Sequence, residues 1–277
     1  MNDEIYNLLI LSDVAYQPYL FDNTVEDYNP VKFDANTFTN HRTMGFLAHS
    51  YYSKKKNTLV VAYAGTNDAL DLWADLQLGV SGWSIQHDNA MQFAEDSKKT
   101  LESNGITDYN IVFTGHSLGG VLAQYVSIKN NNAKAVVFNS HGTGGIFGKS
   151  KKSPNITYVY SNPATWNMRV SGFKVSSIHE NGSLASKNVM YVLGAEGHAK
   201  ESLLDAFGNG EIPTTSEEWQ DFIVQQYVEG DLTADDIKAL SVYGNVFNES
   251  VRVGAVQKIK NFLRAQPKIM LSDFSDL

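Results

Sequence analysis

The sequence predicts an α/β fold, with a mostly parallel central sheet and helices on both faces. Three observations carry this. Apolar, β-prone runs alternate with helical patterns over roughly residues 1 to 207. Several of the runs end in glycine-rich loops, as strands do where they feed a crossover. One of them, "YNIVF", passes straight through "TGHSLGG" into a helical pattern.

The elements follow in order. Residues 4–16 place Ile5, Leu8, Leu9, Val14 and Tyr16 at helical spacing. Phe46–Tyr52 and Thr58–Ala64 read as two strands joined by a lysine-rich turn. "NDALDLWADLQL" is a short helix, and "IQHDNAMQFAEDSKKTLESNG" a longer amphipathic one closed by Gly105. Ile111, Val112 and Phe113 form a buried strand, and Val121, Leu122, Tyr125, Val126 and Ile128 the apolar stripe of the next helix. "AKAVVF", "NITYVYS" and "SKNVMYVLG" give three further strands. From about residue 212 the pattern turns helical and polar, in "SEEWQDFIVQQYVEG", "TADDIKALSVYG" and "VGAVQKIKNFLRAQ". The expected organisation is a core over residues 1–210 and a C-terminal helical extension or cap over 211–277.

The chemistry is concentrated at Gly115-His116-Ser117-Leu118-Gly119. A serine between two glycines, on a tight strand-to-helix turn, meets the context required of a nucleophile elbow. Glycines at 115 and 119 let strand and helix approach closely around a strained serine. The hydroxyl of Ser117 is pushed out above the sheet, beside a helix N-terminus whose amides favour developing negative charge. The competing reading is a glycine-rich turn with an ordinary N-capping serine.

Bulk properties narrow the function classes. A chain of 277 residues, 43% hydrophobic, is ample for one large core. It has no cysteine, so disulfides, a thiolate nucleophile and cysteine-ligated metals are excluded. A formal net charge of −8 argues against nucleic acid as a partner. The basic runs at 54–56 and 148–153 read as solvated loops, with a weak contact to an anionic membrane or micelle surface as the alternative. The N-terminus is acidic and its apolar stretch is broken by Ser12 and Asp13, unlike a secretory signal. A cytoplasmic location, or export by a signal-independent route, is the expectation.

Three segments in order resemble the class 3 (fungal-type) lipases and their bacterial lipase and phospholipase relatives, within the α/β-hydrolases: "VVAYAGT" with "LDLWADL", "YNIVFTGHSLGGVLAQ", and "GHAKESLLDAF". The resemblance implies an α/β-hydrolase fold and an acyl-enzyme route to cleavage of a lipid or other acyl ester, with no metal or cofactor. It makes Ser117 the nucleophile and His198 the general base, in the chain order that α/β-hydrolases use. It assigns the oxyanion hole to the backbone N–H of Leu118 and to Thr66; Thr66 also fits a helix N-cap. His141 and His179 are rival bases, and His116, next to the serine in sequence, is read as structural. The helix Asn67–Leu76 is either a lid or a permanently packed segment. A short-chain esterase or amidase, and a binding protein that kept the elbow, are the rival functions. A secreted bacterial effector with an immunity or adaptor partner is the biological setting the resemblance suggests.

One part of the family pattern is missing. Between Ser117 and His198 there is no aspartate; the acids there are Glu180 and Glu196. The family's acid position falls on Asn162, or on Thr165 if the loop shifts. Asn162 would orient the histidine as a neutral acceptor. Glu180 would do so as a charged one. Glu196 would need a tight turn, and Asp205 lies beyond the histidine.

Overall fold

The computed structural model describes residues 2–17, 24–33, 46–65, 82–140, 142–143, 153–161, 169–170, 173–174, 186, 188–192, 195, 199–209, 216–229, 234 and 249–265. Its elements are α1 (Asn2–Val14), β1 (Asn29–Pro30), β2 (Ala48–Ser53), β3 (Thr58–Tyr63), α2 (Gly82–Ser103), β4 (Asn110–His116), α3 (Leu118–Lys129), β5 (Lys134–Phe138), β6 (Ile156–Ser161), β7 (Arg169–Val170), β8 (Phe173–Lys174), β9 (Asn188–Val192), α4 (Lys200–Asn209), α5 (Ser216–Glu229) and α6 (Glu249–Ala265). The expected segments Asn67–Leu76 and most of "TADDIKALSVYG" lie outside the described residues.

Among the described residues the main sheet has seven strands in the order β1-β2-β3-β4-β5-β6-β9. The edge pairs β1–β2 and β2–β3 are antiparallel. From β3 through β4, β5 and β6 to β9 every pairing is parallel. β7 and β8 form a separate small ribbon.

Side-chain alternation along the parallel strands builds two cores. Leu59, Val61 and Tyr63 of β3, Phe113 of β4, Val137 of β5 and Tyr158 of β6 face one side. There they meet Ala90, Phe93 and Leu101 of α2, and Leu122 and Val126 of α3. Ile223 of α5 and Ala255, Ile259 and Leu263 of α6 belong to the same cluster. Val60, Ala62, Val112, Val136 and Val159 face the other side, onto Leu8, Leu9 and Leu11 of α1 and Leu203 of α4. Strands buried on both faces explain why they read as near-continuous apolar runs rather than alternating ones.

Because β4, β5, β6 and β9 run parallel, their carboxyl ends share one rim of the sheet, where ligands of open α/β sheets bind. Ser117 follows β4 at that rim. Ser161, the residue before Asn162, ends β6 there. β6 lies two strands from β4, on the order of 10 Å away.

Candidate active site

Ser117 sits between the last residue of β4 and the first of α3, with φ 56° and ψ −123°. A residue with a Cβ reaches this region only under strain. The hydroxyl makes no helix-capping hydrogen bond. The ordinary N-cap reading is therefore excluded, because an N-cap serine has extended backbone and turns its oxygen onto the helix amides. Instead the Ser117 N–H donates to Phe138 O at 3.0 Å, and Ser117 O accepts from Gly120 N–H at 3.1 Å. These bonds fix the turn against β5 and α3. Ser117 is 8% exposed.

The glycines do what the sequence predicts. A Cβ on Gly119 would stand 2.0 Å from Tyr63 O, and one on Gly115 would stand 2.4 Å from the Gly119 carbonyl carbon. α3 thus starts in backbone contact with β3, and β4 with α3. Leu118 occupies the first helical position, where the N–H has no intrahelical acceptor. The end of β3 reaches the same point, since a Cβ on Gly65 would lie 3.4 Å from Leu118 N.

A buried polar network supports the turn from below. Gln124 of α3 donates from Nε2 to Ser140 Oγ at 3.0 Å and to Gly120 O at 3.1 Å. The Tyr158 hydroxyl donates to Gln124 Oε1 at 2.7 Å. The Tyr160 hydroxyl donates to Ser140 O at 2.7 Å, with the two tyrosine rings stacked 6.0 Å apart. Each of these polar groups is buried and paired, which is the condition for such a network to add rigidity rather than cost. Beside it, Asn139 Oδ1 accepts the Ser161 N–H at 2.9 Å, tying the β5 end to the β6 end.

His116 is met by the residue that closes the first helix. Its Nδ1 is 3.0 Å from the Tyr16 hydroxyl, at the end of α1. Lys200, at the start of α4, lies over the Tyr16 ring at 4.8 Å. Its ammonium pairs with Asp13 at 3.2 Å and Glu201 at 2.6 Å. Burial opposes the Lys200 charge, but Glu201 and Asp13 outweigh it and hold Lys200 above its ordinary range. Tyr16 was legible only as an apolar member of the α1 stripe. A tyrosine closing a helix that lies against the nucleophile strand was the available signal.

Thr66, Asn162, Glu180 and His198 lie outside the described residues, as do Thr165, the rival histidines His141 and His179, and Glu196. Asp205 is on α4 and exposed. Ser117 and Leu118 are described, and the chain on one side of each of three others is placed: Gly65 at Leu118, Ser161 at the β6 rim, and Lys200 against Tyr16. Among the described residues no group of His, Asp or Glu forms a potential metal site. No described helix is long and apolar enough to cross a membrane.

A mostly parallel sheet with helices on both faces, and a strained serine between its central strand and the next helix, defines an α/β-hydrolase-like protein. The phospholipase-like family model described as "Tle-like phospholipase domain" matches residues 12–206, and the chain belongs to that family. Curated protein sequences gave no significant match. Among solved structures it is similar to lipase II from Rhizopus niveus, at 14% identity and TM-score 0.44 over 58% of this chain and 72% of that one. It is also similar to Lip2 lipase from Yarrowia lipolytica, at 14% identity and TM-score 0.44 over 69% and 78%. A triacylglycerol lipase from Penicillium expansum matches at 19% identity and TM-score 0.42 over 77% and 90%.

Proposed function

We propose that this chain is a serine hydrolase that cleaves carboxylic esters of lipids, of lipase or phospholipase A type, through an acyl-enzyme. Family membership supports lipid ester hydrolysis. The observation that carries the serine mechanism is the strained, non-capping conformation of Ser117 at the sheet rim.

In this reading His198 takes the Ser117 proton as the oxygen attacks the ester carbonyl. The developing oxyanion is held by the N–H of Leu118 and by Thr66. His198 then passes the proton to the leaving alcohol, and water repeats the sequence to release the acid. Loss of one hole donor costs about 3 kcal/mol of transition-state stabilisation. Asn162 or Glu180 orients His198. Asn162 directly follows Ser161, whose N–H Asn139 binds at the β6 end of the rim, and this chain position is what supports it. A secreted effector role, with an immunity or adaptor protein as partner, rests on resemblance alone.

The test is hydrolysis of a phospholipid and of a short soluble ester by wild type, Ser117→Ala, His198→Ala, Asn162→Ala and Glu180→Ala. Ser117→Ala and His198→Ala are expected to lose on the order of a thousandfold or more. Whichever of Asn162→Ala and Glu180→Ala follows them identifies the orienting group. Preference for the soluble ester would make the protein an esterase. A wild type no faster than Ser117→Ala on every ester would leave a binding protein.

A further inference from the structure

The two halves of the proposed oxyanion hole come from segments far apart in the chain, and one side chain touches Gly65, just before Thr66, and His116, two residues before Leu118. Tyr16 leaves α1 in a tight final turn, its N–H donating to Asp13 O at 3.0 Å. Its hydroxyl oxygen lies 3.0 Å from His116 Nδ1 and 3.4 Å from His116 O. A Cβ on Gly65 would lie 2.5 Å from the Tyr16 oxygen and 2.9 Å from His116 O. The hydroxyl therefore fills the space that a side chain at position 65 would need. Gly65 precedes Thr66, and His116 precedes Ser117 and Leu118.

A phenol has one proton to give and two lone pairs to accept with. Here it hydrogen-bonds His116 at the end of β4 and packs against Gly65, just past β3. Burial chiefly pushes the Tyr16 hydroxyl well above its usual range, so its proton stays in place across working pH. The ring is fixed from the other side by Lys200, whose charge is held by Asp13 and Glu201. Lys200 lies two residues after His198 in the chain.

We infer that Tyr16 is a positioning residue for the oxyanion hole, holding Gly65, just past β3, against the His116–Leu118 turn through its hydroxyl oxygen. The inference rests on the serine-hydrolase reading. Its physical basis is that hole donors act by being already placed where the oxyanion forms; a shift of about 1 Å costs on the order of a hundredfold.

Tyr16→Phe keeps the ring under Lys200 and removes only the clamping oxygen. It is compared with wild type and Ser117→Ala on p-nitrophenyl butyrate. Binding of a trifluoromethyl ketone, which forms an oxyanion in the hole, is compared with binding of its unreactive ether counterpart. Expected is a kcat loss of roughly ten- to a hundredfold at KM within about twofold, an equal loss of ketone affinity and unchanged ether affinity. Unchanged kcat, or equal losses for ketone and ether, would overturn the inference. If Tyr16→Phe does not fold, His116→Leu removes the nearer partner of the hydroxyl. A loss of about three- to tenfold with the same split is expected there, and full activity overturns the inference. A competent wild type beside an unaffected variant removes this inference alone; a wild type no faster than Ser117→Ala removes the hydrolase reading and this inference with it.

Discussion

Asn139 Oδ1 accepts the backbone N–H of Ser161 at 2.9 Å, joining the ends of β5 and β6 one residue before Asn162. Asn139 is itself buried and has φ 43°, a conformation that asparagine tolerates better than most residues. Asn139→Ala removes the acceptor and leaves the Ser161 N–H buried. A loss of about 1–3 kcal/mol of stability is expected in urea titrations, with a drop in ester kcat. Asn139→Asp, which keeps the oxygen, should recover more of both than Asn139→Leu. Equal behaviour of the two would remove the hydrogen bond as the cause.

The strain at Ser117 has a measurable sign. Its φ of 56° is tolerated by glycine and costs a residue with a Cβ about 1–3 kcal/mol. Ser117→Ala keeps the strain, whereas Ser117→Gly relieves it. Both variants should lack ester hydrolysis, and the glycine variant should unfold at a temperature about 2–4 °C above the alanine one for each kcal/mol released. The reverse order in calorimetry would mean the turn is unstrained.

Gly119 leaves no room for a methyl group, since its Cβ would stand 2.0 Å from the carbonyl oxygen of Tyr63. Backbone lies on both sides of this contact, so relief requires α3 to move off β3. Gly119→Ala is expected to lose at least 3 kcal/mol, beyond ordinary overpacking, and to lose activity. A Gly119→Ala protein with wild-type thermal stability would contradict the close approach.

His87 of α2 stacks on Tyr125 of α3, with ring centroids 4.1 Å apart and planes 9° from parallel. Burial pushes its imidazole down to about 4 from an ordinary 6.5, against the opposing charge of Asp88. In the folded protein the ring therefore binds protons less well than in the unfolded chain. Its contribution to stability is complete above pH 6.5 and is lost as pH falls towards 4. His87→Phe keeps a flat apolar ring. The fall in urea midpoint between pH 7.5 and pH 4.5 should be smaller for the variant than for wild type; equal falls would place the acid sensitivity elsewhere.

The strands and their order of type were legible because burial on two faces forces continuous apolar runs, as in "NIVF" and "AVVF". The elbow was legible for a similar reason: its turn is local, and steric contact with β3 and α3 demands glycine at fixed positions. Boundaries shifted by a few residues, as with α2 beginning at Gly82 rather than Ile85, because helix ends are set by backbone hydrogen bonds rather than by the apolar stripe.

The parallel-sheet architecture, the family and the turn at Ser117 could be read from the residues alone, since each depends on neighbours in the chain or on a local period. What holds that turn in place emerges only in the folded chain. Tyr16 meets His116 from 100 residues away, and Asn139 meets Ser161 from 22. Periodicity reports which face of an element is buried. It is silent on polar contacts where strand ends meet, because those depend on the order of strands across the sheet and the register in which helices close over it.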